Sequence, residues 1–146
     1  GSYVNQDGRS ASLTAPNGPS QQAVIRGSLG QAEIQPDMVS ATENHGTGTA
    51  LGDPIETGSI RAVFKRRSEP LPVTSAKTHM GHLEAGAGAV GILKTLCQLT
   101  HAAVPPNCHL RQPNAHCEFE GFPAMFPVEV LDLPKEYHYG GCNGFG

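Results

Sequence analysis

Residues Thr42 to Glu56 read T-E-N-H-G-T-G-T-A-L-G-D-P-I-E. A single histidine, His45, closes a short strand-like run, and a loop of Gly and Thr follows. Asp53-Pro54-Ile55-Glu56 then predicts a helix start, with Asp as N-cap, Pro at the first helical position and Glu two places on. A second stretch, Lys77 to Glu84 (K-T-H-M-G-H-L-E), repeats the strand–loop–histidine design after the next strand. In open α/β sheets ligands bind in the loops at the carboxyl ends of strands. The two loops are therefore expected to face each other and hold one active site.

Outward from that stretch, strands and helices alternate. Tyr3 and Val4 read as the end of a strand, and Asn5 to Gly18 as a structured loop dense in turn formers. Asn17-Gly18-Pro19 opens a helix running to about Gly30, with Ala23, Val24 and Leu29 inward. Met38 to Glu43 is the strand before the first histidine. The helix from Asp53 buries Ile60, Val63 and Phe64 and ends in Lys65-Arg66-Arg67, a basic cluster that reads as a solvated helix end. Pro70 breaks it, and Leu71 to Ala76 is the next strand. A long helix spans Leu83 to His101, and the helical spacing of Val90, Leu93, Leu96 and Cys97 points to burial. Pro105-Pro106-Asn107 ends it. An irregular connection from Cys108 to Pro127 leads to a final pair of strands, Val128 to Leu133 and Tyr137 to Cys142. The order predicts an α/β domain with a substantially parallel sheet.

At 146 residues the chain has the length of one domain. Its 38% hydrophobic content is lean beside 18 Gly and 12 Pro, which suggests either many loops or a core completed from outside. A net charge of -3 argues against a nucleic-acid or anionic-membrane surface. Four scattered cysteines, without a C-x-x-C pair, suit a reducing compartment. No apolar run approaches the roughly 18 to 20 residues of a membrane span, and a cytoplasmic setting is expected. The start on Gly1-Ser2-Tyr3-Val4, with no initiator Met, reads as an internal piece of something longer.

Other motifs carry less. Gly86-Ala87-Gly88-Ala89-Val90-Gly91 matches G-x-G-x-x-G but falls inside a helix, and Arg111 stands where a ribose-binding acid is wanted. His79-x-x-His82, and Cys108-His109 with His116-Cys117, lack a standard zinc spacing, so no metal is expected.

The two histidine motifs in tandem resemble those of the ketosynthase domains of type I modular polyketide synthases, relatives of the fatty-acid β-ketoacyl synthases. Val4-Asn5-Gln6-Asp7-Gly8 and Leu13 to Pro19 are similar to the polyketide-type lead-in, and Pro105-Pro106-Asn107 and Gly141 to Gly146 to the tail. The resemblance implies a thiolase-like fold, αβαβα in five layers. Residues 36–146 would be its C-terminal half, and residues 1–35 the linker and helix leading in. It implies decarboxylative Claisen condensation of an acyl thioester with a malonyl-type unit on an acyl carrier protein. By position, His45 and His82 are the catalytic histidines, Lys77 orients the second loop and Glu56 is its ion-pair partner. Thr47 and Thr49 would bind the phosphopantetheine arm of the carrier, with Phe145 also at the substrate. No cofactor is implied on the chain itself. The carrier protein, the N-terminal half of the same domain and a second copy in a homodimer are the implied partners.

Two positions depart from the family pattern: Asn44 stands where Ala is usual, and His79 where Asn is usual. They keep open a non-elongating domain that binds carrier-borne acyl chains without joining them. A coenzyme A-dependent, thiolase-like acyltransferase fits the motifs poorly. The family's nucleophilic cysteine sits in an Asp-Thr-Ala-Cys-Ser-Ser-type motif in the N-terminal half. Cys97, Cys108, Cys117 and Cys142 lack that context, so this chain is expected to supply the histidines and not the nucleophile.

Overall fold

A computed structural model describes residues 1–134 and 138–145, apart from residues 9, 11, 13 and 14. Leu13, Thr14, Tyr137 and Gly146 of the motifs above lie outside the described residues.

The first helix, α1 (Gly18–Ala32), starts where the sequence places it: the Asn17 side chain accepts from the Ser20 N–H at 3.0 Å, with Pro in the first turn. Its inward residues are Gln21 and Ile25, whereas Ala23 is exposed and Val24 half-buried. Tyr3 and Val4 form no strand. The Tyr3 ring instead lies against α1 at Gly27, where an added Cβ would come within 2.6 Å of it.

A 3-10 turn at Pro36–Met38 leads into β1 (Val39–Glu43). Arg67, beyond the end of α2 (Gly52–Phe64), is not a solvated cation. Its guanidinium donates to the carbonyls of Pro36 and Val39, at 2.5 and 2.8 Å, and staples the start of β1. The next strand is β2 (Leu71–Thr74), followed by a single turn, α3 (Lys77–Met80). The long helix is divided into a 3-10 turn, Glu84–Gly86, and α4 (Ala87–His101).

Four strands make a parallel sheet in the order β4-β2-β1-β6, where β4 is Ala124–Met125 and β6 is Tyr139–Cys142. The last two strands do not pair with each other. β5 (Leu131–Asp132) runs antiparallel to β3 (Ala103–Val104) in a separate two-stranded sheet, while β6 lies beside β1. The larger core packs Ile25, Ile60, Val63 and Phe64 of α1 and α2 on Val39, Leu71 and Val73 of the sheet. Truncating a residue such as Ile60, 1% exposed, to Ala would cost about 2–5 kcal/mol.

α4 packs on β1 and β6 through Gly91, Thr95 and Gln98, not through its apolar stripe. Leu93 and Leu96 are 61% and 54% exposed, and Cys97 is exposed as well. The periodicity marks a face that this chain leaves uncovered. Among the described residues no helix is long and apolar enough to cross a membrane.

Candidate active site

β1 and β2 end side by side, with Glu43 opposite Thr74, so the loops that follow them start as neighbours. This brings the two histidines together: the His45 and His82 ring centroids are 5.7 Å apart with the planes perpendicular. Phe145 closes on His45 from the tail, at 6.4 Å between centroids.

The first loop is held by its own backbone chemistry. The Glu56 carboxylate accepts from two successive N–H groups, those of His45 at 2.7 Å and Gly46 at 2.8 Å. Gly46 has a φ of 51°, and a Cβ there would meet Ser75 at 2.8 Å, so glycine alone lets the two loops approach. Asp53 does not cap α2. Its Oδ1 accepts from the Gly48 N–H at 3.0 Å, and the first turn of the helix is met by the Thr49 hydroxyl, which accepts from the Gly52 N–H at 3.0 Å. The Thr47 and Thr49 hydroxyls face each other at 3.3 Å near the surface.

The expected ion pair between Lys77 and Glu56 does not form. Glu56 is committed to the loop amides, and Lys77 Nζ donates to the His45 carbonyl at 2.5 Å and lies 3.5 Å from His45 Nδ1. Burial pushes the Glu56 carboxyl up to about 7, against the pull of the two amides. Burial, with Lys77 and His82 adding to it, holds His45 down at about 4, so the ring is neutral at pH 7.

With an ammonium facing Nδ1, the proton of neutral His45 belongs on Nε2. His82 is set in the same way, because its Nδ1 accepts from the Glu84 N–H at 3.1 Å. Both rings thus keep an Nε2–H free to donate.

His79 does not crowd Lys77. Burial lowers its pKa, with Lys94, Glu43, His109 and the Pro106 backbone around the ring. The Asn44 side chain accepts from the Thr42 hydroxyl at 3.3 Å, and that hydroxyl accepts from Asn143 in the tail, also at 3.3 Å. Asn107 reads in the sequence as a helix stop within the tail-like Pro105-Pro106-Asn107, yet its side chain accepts from the Ser75 N–H at 3.2 Å and donates to the Val73 carbonyl at 2.9 Å. Glu43, inside the first histidine stretch, and Lys94, which no motif signals, form a buried ion pair at 2.8 Å beneath the loops.

Two of the four cysteines sit where a thiolate is disfavoured. Burial raises the thiol pKa of Cys142, to about 11, and also that of Cys117. Among the described residues no three His, Cys, Asp or Glu side chains converge to hold a metal.

The family described as "Beta-ketoacyl synthase, C-terminal domain" matches residues 1–111. The chain belongs to this family. It is 40% identical over 156 residues to the mycoketide-CoA synthase of Mycobacterium tuberculosis (strain ATCC 25618 / H37Rv), and 39% identical over 151 residues to polyketide synthase GfsA of Streptomyces halstedii. Those alignments take in all of this chain but only 4% and 2% of the two proteins. Among solved structures, ketosynthase twelve of the bacillaene polyketide synthase in Bacillus amyloliquefaciens superposes with a TM-score of 0.90 at 34% identity, over 97% of this chain and 26% of that one. The ketosynthase from module 6 of the bacillaene synthase of Bacillus subtilis 168 gives 0.82 at 34% identity, over 90% and 24%. The fold is thiolase-like, and the chain corresponds to the C-terminal part of a ketosynthase domain.

Proposed function

We propose that the chain works as the C-terminal half of a β-ketoacyl synthase domain in polyketide biosynthesis, with residues 1–35 leading into it. The reaction is decarboxylative Claisen condensation. Loss of carbon dioxide from a malonyl-type thioester on an acyl carrier protein builds charge on the thioester oxygen. The Nε2–H groups of His45 and His82 donate to that oxygen. The enolate carbon then attacks an acyl group held on a cysteine of the N-terminal half, the carbon–carbon bond forms, and the cysteine thiolate leaves. The observation that carries this reading is the pair of imidazoles 5.7 Å apart, each with Nδ1 turned to a donor and Nε2 left free. Preorganised donors of this kind are worth roughly 3–4 kcal/mol each.

Lys77 orients His45, and Glu56 holds the loop carrying it. Thr47, Thr49 and Phe145 would meet the phosphopantetheine arm, with no cofactor on the chain itself. The N-terminal half of the domain would cover the apolar face of α4, the parent would be a cytoplasmic homodimer, and neither nucleic acid nor membrane is a partner. The test is reconstitution of the complete domain with malonyl carrier protein and an acyl donor. Carbon dioxide release and chain elongation are expected, and acyl loading without either would favour the non-elongating alternative.

A further inference from the structure

One residue, through its carboxylate and its carbonyl, ties the second loop, α4 and the tail to β1. Glu43 ends β1 two residues before His45 and is 2% exposed. Its Oε1 accepts from the Ala76 N–H, at the start of the second histidine loop. Its Oε2 accepts from the Thr74 hydroxyl and from Lys94 of α4, both at 2.8 Å, and Gln98 of α4 donates to the same hydroxyl at 3.2 Å. The Glu43 carbonyl accepts from the Asn143 N–H at 2.9 Å, two residues before Phe145. Lys94 has only 11% of its side chain exposed, so the pair is withdrawn from solvent. α4 makes room for it: a Cβ on Gly91 would stand 3.4 Å from Glu43 Cγ and 2.9 Å from Cys142 Sγ.

A buried ion pair rarely adds stability over an apolar pair of equal volume, because desolvating both charges cancels most of the attraction. Stability therefore gives little reason to keep one here, whereas its placement does. We propose that Glu43 and Lys94 are positioning residues: through the Ala76 N–H and the α4 contact, the pair sets the separation and orientation of His45 and His82. This rests on the reading of those histidines as the condensing pair. Neither Glu43 nor Lys94 touches substrate. Each acts through the loops, and no local pattern betrays the pairing because the two lie 51 residues apart.

The test uses the complete ketosynthase domain and the double variant Glu43→Gln/Lys94→Met, which removes both charges and nearly keeps both volumes. Two readouts are taken: kcat and KM for carbon dioxide release from malonyl carrier protein, and the titration of the His45 ring by NMR. A thermal midpoint close to that of the parent is expected, with kcat down about tenfold or more and KM within about twofold. The His45 titration, at about 4 in the parent, is expected to rise toward 6.5 as the loops part. An unmoved His45 titration overturns the proposal, whether kcat is parental or falls only in step with the folded fraction. A domain whose parent form releases no carbon dioxide sinks the condensing reading instead. In that case, and wherever the two readouts disagree, the His45 titration decides: a moved midpoint supports the pair and an unmoved one overturns it.

Discussion

Lys77 holds His45 twice, donating to its carbonyl at 2.5 Å and standing 3.5 Å from its Nδ1. The first contact fixes the backbone at the strand end, and the second fixes the tautomer. A cation beside Nδ1 disfavours both a proton on that nitrogen and a second charge on the ring. Removing the ammonium as Lys77→Met is expected to raise the His45 titration above about 4, while burial still holds it below 6.5, and to populate the Nδ1–H form. Nitrogen-15 NMR of the ring reads both. Carbon dioxide release should fall roughly tenfold or more as the donor is lost from part of the population.

The two Nε2–H donors are expected to act together on one oxygen. His45→Ala and His82→Ala should each lower the rate of carbon dioxide release by roughly a hundred- to a thousandfold. Acyl transfer onto the cysteine of the N-terminal half should survive in both. Single-turnover assays with labelled acyl donor and labelled malonyl carrier protein separate the two steps. Equal loss of acyl loading and decarboxylation would remove the histidines from the role proposed for them.

Glu56 predicts opposite pH trends for stability and turnover. Its carboxyl is raised from 4.5 to about 7 in the folded chain. Between those values the folded form keeps a proton that the unfolded form has released, so this group's contribution to stability falls as pH rises through the window, by roughly 3 kcal/mol in all. The ionised form, however, is the one that accepts from both loop amides. Turnover should therefore fall as pH drops below about 7, while the thermal midpoint rises. Glu56→Gln should remove that part of the stability slope, measured as the difference between variant and parent from pH 4.5 to 7. It should also lower turnover roughly tenfold or more, since a charge-assisted bond to one amide is lost.

What the sequence made legible was local. Asn17 before Gly18-Pro19 fixed the start of α1 through one side-chain bond to Ser20, and the Asp53-Pro54 signal placed the start of α2 within two residues. The two strand–loop–histidine repeats were enough to bring His45 and His82 together, because parallel neighbours end on the same side of a sheet. Charge partners were not legible. Family position matches Glu56 to Lys77, but the reach of Glu56 ends at amides 10 and 11 residues back, and the pair that forms joins Glu43 to Lys94. Strand partners were hidden for the same reason: β6 follows β5 in sequence yet pairs with β1, about a hundred residues earlier.

The Thr49 hydroxyl has a structural and a proposed binding role, and substitution should reveal both. It accepts from the Gly52 N–H at 3.0 Å, in the manner of an N-cap. Thr49→Ala should cost about 1 kcal/mol of stability and raise the KM for malonyl carrier protein. Thr47 makes no bond to the helix, so Thr47→Ala should raise KM with the thermal midpoint unchanged. Denaturation curves beside steady-state kinetics distinguish the two. A KM unchanged in both variants would remove these hydroxyls from the carrier arm's path.

The exposed stripe on α4 makes the last prediction, about what completes the core. Ile92, Leu93 and Leu96 are each more than half exposed, while Thr95 and Gln98 face the sheet. An apolar helical face left in water is a face awaiting a partner, and under the proposed function that partner is the N-terminal half. Leu93→Glu and Leu96→Glu substitute residues that this chain does not bury, so its own packing should tolerate them. Association should not tolerate them, because each puts a charge into the contact between halves. Co-expression of the two halves with a tag on one, followed by pull-down, should recover the pair for the parent and lose it for both variants. The exposed residue Arg66 serves as the control surface, and Arg66→Glu should leave the yield of the pair unchanged. Recovery of the pair by Leu93→Glu and Leu96→Glu would mean that the halves meet elsewhere and that another surface covers α4.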